Sequence, residues 1–151
     1  MPVDAVAQPA TLLGASDDLR FHDVPGDGNC LFSAVALSAA IVDDEPLGRS
    51  RALKARAKAL QGAAARLRAA AMDLLCPFGA PAVDLTFDGL PASLLMEPRG
   101  NEGAKGYCAR MRRSGERGST AELLALTRVL RRPIRVHTDF GVETYGAEMA
   151  S

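Results

Sequence analysis

The sequence predicts an α+β domain, a small sheet flanked by helices, and three observations lead there. The run "CLFSAVALSAAIV", Cys30 to Val42, is apolar nearly all round and holds neither Gly nor Pro. An Ala-rich stretch after Ser50 repeats Leu53, Leu60, Leu67 and Leu74 every seven residues, with Ala57, Ala64 and Ala71 between them. Further on, "PIRVHT" alternates Ile134 and Val136 with Arg135 and His137. The first is a buried helix, the second a helix with one packing stripe, the third a half-buried strand.

A chain of 151 residues fits a single domain with one continuous core. Its 48% hydrophobic and 24% charged content belongs to a globular protein and excludes disordered and collagen-like classes. "MPVDAVAQPATLLGAS" has no basic n-region, and no segment reaches the ~18 apolar residues of a membrane span. The expected location is therefore cytoplasmic or nuclear, with no membrane partner. Cys30, Cys76 and Cys108 lie too far apart for a zinc pattern and are expected as free thiols in a reducing compartment; no metal and no cofactor is expected. Net charge is zero but segregated: residues 1–45 carry eight acids against Arg20 alone, and the other 17 bases fall between Arg49 and Arg135. Such a field steers charged partners without naming them.

Taken in order, residues 1–18 read as a mobile arm and "LRFHDV" as a short strand. "PGDG", residues 25–28, is turn chemistry, with Asp27 able to bond nearby backbone donors. Asn29 is a preferred N-cap for the helix that opens at Cys30. "DDEP" closes that helix as a loop, and Ser50 caps the long one, where Gly62 costs about 1 kcal/mol and marks a possible bend. "CPFGAPAVDLTFDGLP" reads as loop, a short helix lies around Leu94 and Met96, and "EPRGNEGAKG" reads as loop again. In "STAELLALTRVLRR", Ser119 or Thr120 caps, Glu122 sits in the first turn, Leu123, Leu126 and Leu130 share a face, and Pro133 ends the run. "DFGVETYGAEMAS" shows no further element.

The chemistry centres on Cys30. A helix N-terminus favours a thiolate through its unsatisfied N–H groups and positive dipole end, and the Asp27–Gly28–Asn29 turn can aim amides at a developing oxyanion. The alternative is a buried, inert thiol that merely starts a helix.

"DGNCLFSAV", Asp27 to Val35, closely resembles the nucleophile segment of the ovarian-tumour (OTU) family of cysteine deubiquitinases. "YCARMRRSGERGSTAELLALTRVLRRPIRVH", Tyr107 to His137, resembles that family's later block in order and spacing, although Arg117 stands where the family often has an aromatic. The likeness spans residues 19–145, leaving 146–151 as a tail. It implies a papain-like fold and a thiol hydrolase that cuts isopeptide bonds to ubiquitin, with ubiquitin or a ubiquitin-conjugated protein as partner. It also implies that Cys30 is the nucleophile, that Asp27 belongs to the catalytic set, and that the backbone of Asp27, Gly28, Asn29 and Cys30 forms the oxyanion hole. The family's base lies on a strand beyond "PI-V", so the resemblance implies a domain without its last strand or strands, either a fragment or a natural pseudoenzyme. Of the two histidines, His22 and His137, the second is the better substitute base, with Asp139 near it, but the family's base is not carried over to either.

Three other readings compete. Arg49, Arg51, Lys54, Arg56, Lys58, Arg66 and Arg68 could meet nucleic-acid phosphates, although 5% aromatic content leaves few stacking platforms and a solvated helix face explains them as well. The leucine stripe could join copies of the chain, although packing within its own domain is the usual use of such a stripe. An OTU-like fold could also bind ubiquitin without turnover.

Overall fold

The computed structural model describes residues 3–6, 24, 26–49 and 53–150. His22, Ser50 and all of "LRFHDV" except Val24 lie outside them. Strand β1 (Val3–Val6) is followed by helices α1 (Cys30–Val42), α2 (Pro46–Arg49) and α3 (Leu53–Leu75). A small hairpin of β2 (Thr86–Phe87) and β3 (Leu90–Pro91) leads through a 3₁₀ turn (Ala92–Leu95) to α4 (Gly103–Met111) and α5 (Thr120–Leu130). Strands β4 (Ile134–Thr138) and β5 (Gly141–Tyr145) and a 3₁₀ turn (Ala147–Ala150) complete the order. The α+β class is as expected.

Helix α3 packs between α1 and α5. Leu60, Ala64 and Ala71 of its stripe are buried, with Met72 beside them, and Leu67 and Leu74 pack partly buried against the core, so this part of the stripe is used inside the domain. Gly62 does not interrupt the helix. Phe32 and Val35 of α1 meet Leu123 and Leu126 of α5 in the same core, which also holds Tyr107, Met111 and Ile134. Helix α5 starts where the sequence places it: Ser119 is the N-cap, and its N–H donates to Glu122 Oε1 at 2.9 Å.

The sheet runs β1–β4–β5, with β4 central, parallel to β1 and antiparallel to β5. Two expectations are corrected here. Part of the expected mobile arm is strand, because "VDAV" finds its partner in β4, a pairing no local pattern announces. Part of the expected featureless tail is β5, whose residues are mostly exposed and therefore carry no apolar alternation. Hairpin β2–β3 and the first turn of α4 likewise occupy stretches read as loop, and α2 begins at Pro46, the last residue of "DDEP".

The cysteine expectation is also corrected. Cys76, just past α3, and Cys108 in α4 form a disulfide with Cα atoms 6.1 Å apart, both fully buried. Only Cys30 is a free thiol. Pairing depends on the packing of α4 under the end of α3, which spacing along the chain does not report. Among the described residues no helix is long and apolar enough to cross a membrane.

Candidate active site

Cys30 is half-buried at the first position of α1, and the turn before it is built by Asp27. Asp27 Oδ1 accepts the Asn29 N–H at 2.9 Å, and the Asp27 carbonyl accepts the Cys30 N–H at 3.2 Å. This is the i to i+2 bond by which an aspartate imitates a backbone turn. The Asn29 carbonyl then accepts the Ser33 N–H at 2.9 Å and begins the helix.

Asn29 occupies the N-cap position, but its side chain does not cap. It turns sideways, away from the helix amides. Its Oδ1 accepts from Arg68 Nη2 at 2.7 Å and from the Gly115 N–H at 2.9 Å, while Nδ2 donates to Ser114 Oγ at 3.0 Å. Three of the amide's four hydrogen-bonding sites are thus used to join two loops.

Gly28 explains why the turn needs glycine. A Cβ there would lie 1.4 Å from the Gly115 carbonyl oxygen, so the loop of residues 114–116 sits backbone to backbone against the turn. The reason is close approach rather than a positive φ.

Arg68 lies beneath both loops. Its sequence context groups it with the solvated basic face of the long helix, yet it is only 4% exposed. Its Nη1 donates to the Met111 carbonyl at 2.9 Å; Nη2 reaches the Glu116 carbonyl at 2.6 Å and the Gly28 carbonyl at 3.4 Å. The guanidinium stacks on Phe32, 4.4 Å from the ring centroid. Burial holds its pKa below the usual arginine range, and Glu122, Glu116 and Asp27 partly offset that. On the same helix Lys58 and Arg66 are exposed, as expected.

The proposed oxyanion donors are Asp27, Gly28, Asn29 and Cys30. Of these four amides, those of Asn29 and Cys30 already bond within the turn. A hollow beside the turn is lined by Asp27, Asn29, Ser33, Lys58, Leu60 and Gln61. Among the described residues, no histidine lines it.

His137 sits in the central strand between Val6 of β1 and Val142 of β5, 6% exposed. Ile134 and Val136 of the same strand pack into the core that contains Phe32 and Val35 of α1. Strand alternation puts His137 on the opposite face. Asp139 is exposed in the turn after β4. The structure therefore brings Asp27, Gly28, Asn29 and Cys30 together and does not place His137 beside them.

The residues that sequence reasoning missed are Arg68, Ser114, Gly115 and Glu116. The glycine-rich "RRSGERG" stretch is the one signal that could have drawn attention to the second loop.

A thiol on the first turn of a helix, entered through a tight turn and set in an α+β domain, is an arrangement that cysteine hydrolases use. Residues 25–151 match a family model described as OTU-like cysteine protease, and the chain belongs to that family. No curated protein and no solved structure gives a significant match.

Proposed function

We propose that this chain is a thiol-dependent deubiquitinase with a papain-like arrangement, acting on isopeptide bonds to the C-terminus of ubiquitin through Cys30. The observation that carries the reading is the position of Cys30, the one unbridged thiol, at the mouth of α1 beyond the Asp27 turn. Membership of a cysteine-protease family supports it. In the reaction the Cys30 thiolate adds to the carbonyl carbon, and backbone N–H groups of the 27–30 turn receive the oxyanion. The C–N bond then breaks as the lysine amine takes a proton from solvent, and water hydrolyses the thioester to release the C-terminal carboxylate and restore the Cys30 thiol. The Cys30 N–H is the natural donor, since its bond within the turn is long at 3.2 Å and readily exchanged.

The test is covalent labelling by ubiquitin carrying a C-terminal electrophile, together with cleavage of di-ubiquitin. Labelling of the wild-type chain and none of Cys30→Ala is the expected result; equal labelling of both removes Cys30 from the reaction. A second reading, a ubiquitin-binding module without turnover, draws support from strand alternation, which turns His137 away from the face that carries Ile134 and Val136. Ubiquitin binding without labelling or cleavage selects it.

A further inference from the structure

We infer that Arg68 is the positioning residue of the nucleophile turn: it holds the Gly28–Asn29 peptide against the 114–116 loop and so fixes how Cys30 presents its thiol. This rests on the reading of Cys30 as the nucleophile and adds to it a residue on a different helix. Four observations carry the inference.

The guanidinium meets the turn at two atoms through its Nη2, the Gly28 carbonyl and Asn29 Oδ1, on the residues immediately before Cys30. It meets the partner loop at Glu116 and the end of α4 at Met111. It lies on Phe32, two residues into the helix that Cys30 opens, so the turn and the helix are held by one rigid plane. Finally, the charge is buried against neutral acceptors, carbonyls and an amide, for each of its four hydrogen bonds. Burying a cation in this way costs stability relative to a well-packed apolar side chain.

Only a planar fork can serve these acceptors. A lysine carries its charge as a point at the end of a flexible stem and cannot span Met111, Glu116 and Asn29 together. Without the fork, Asn29 Oδ1 retains the Gly115 amide, but the Gly28 carbonyl loses its anchor and the turn can rotate about Asn29. Cys30 then loses its fixed place at the mouth of α1.

The experiment is the rate of Cys30 alkylation by iodoacetamide, in which sulfur bonds to the methylene carbon, iodide leaves and the thiol proton passes to solvent. Cys76 and Cys108 are bridged, so the reaction reports on Cys30 alone. In folded Arg68→Ala and Arg68→Lys the rate at neutral pH is expected to fall by about 5-fold, the scale of losing the roughly 1 kcal/mol that a helix N-terminus gives a negative group at its mouth. Added guanidinium ion is expected to restore the rate of Arg68→Ala, which lower stability alone does not explain. A wild-type rate in folded Arg68→Ala overturns the inference.

Where Arg68→Ala fails to fold, Asn29→Ala cuts the same bridge from the other side, and a wild-type rate there overturns it equally. The electrophilic ubiquitin probe is run in parallel. Alkylation that depends on Arg68 in a chain that ubiquitin never labels would reject the ubiquitin substrate and leave the positioning role standing.

Discussion

Arg68 Nη2 lies 2.7 Å from Asn29 Oδ1, one residue before Cys30, and both side chains also bind the loop that follows α4. The thiol is therefore presented by two segments distant in sequence and fastened to a third, rather than by its own helix alone.

Gly28→Ala tests that fastening from the backbone. A methyl group at this position collides with the Gly115 carbonyl, which belongs to main chain and has no flexible end to move aside. The expected loss of stability is about 1–3 kcal/mol, the range for overpacking a tight contact. Chemical denaturation measures it. Ubiquitin-probe labelling is expected to fall well beyond what the unfolded fraction explains, and a variant with wild-type labelling would show that the two loops need not touch.

His137→Ala is expected to leave probe labelling of the chain unchanged, since the imidazole lies on the sheet face away from α1. A loss of labelling at unchanged thermal stability would return His137 to the reaction as its base.

The Cys76–Cys108 bridge closes a loop with a sequence separation of 32. On the chain-entropy account such a cross-link contributes about 3–4 kcal/mol. Reduction with dithiothreitol, or Cys76→Ala with Cys108→Ala, is expected to lower the melting temperature of wild type. Cys30→Ala is expected to keep its full sensitivity to reductant. Wild-type stability in the double variant would show that the packing of α4 under α3 holds without the bond.

The chain has two tyrosines and no tryptophan, which makes its alkaline titration easy to read. Burial pushes the Tyr107 hydroxyl up, aided by Glu122 Oε2 at 2.6 Å, which can accept only from the protonated form. The bond to Glu143, with burial, pushes Tyr145 up to about 12. A raised folded pKa contributes stability that is whole below the unfolded value of about 10 and disappears as pH rises through the folded value. Phenolate absorbance at 295 nm is expected to stay low at pH 10 and to rise near pH 12 or with unfolding. Titration of both hydroxyls at pH 10 would contradict the two carboxylate contacts. Tyr107→Phe, which leaves Glu122 without one bond, is expected to cost about 1–3 kcal/mol.

What could be read from the sequence was local. Helix α1 announces itself by an unbroken apolar run, α5 by Ser119 and Glu122, and β4 by the alternation that follows Pro133. The turn that carries Cys30 was legible for the same reason, since Asp27, Gly28 and Asn29 act on their neighbours. The framework behind the turn was not. Arg66 and Arg68 lie two apart on one helix, and composition gives no means of telling that one is solvated and the other enclosed. Asn29 is a good cap by type, yet Arg68 and Gly115 compete for its oxygen. The disulfide, β1 and β5 each depend on partners far along the chain or on exposed residues without a pattern.

The parallel pairing of Val3–Val6 with Ile134–His137 has a consequence for the order of assembly. Helices α1, α3 and α5 can condense around Phe32 and Met72 before this ladder exists, but registering β1 requires closing nearly the whole polypeptide into one ring. The leading strand is thus the last piece to dock and the first to release under load, and an optical-trap pull on residue 3 should detach it in a small early step while the helical nucleus stays intact.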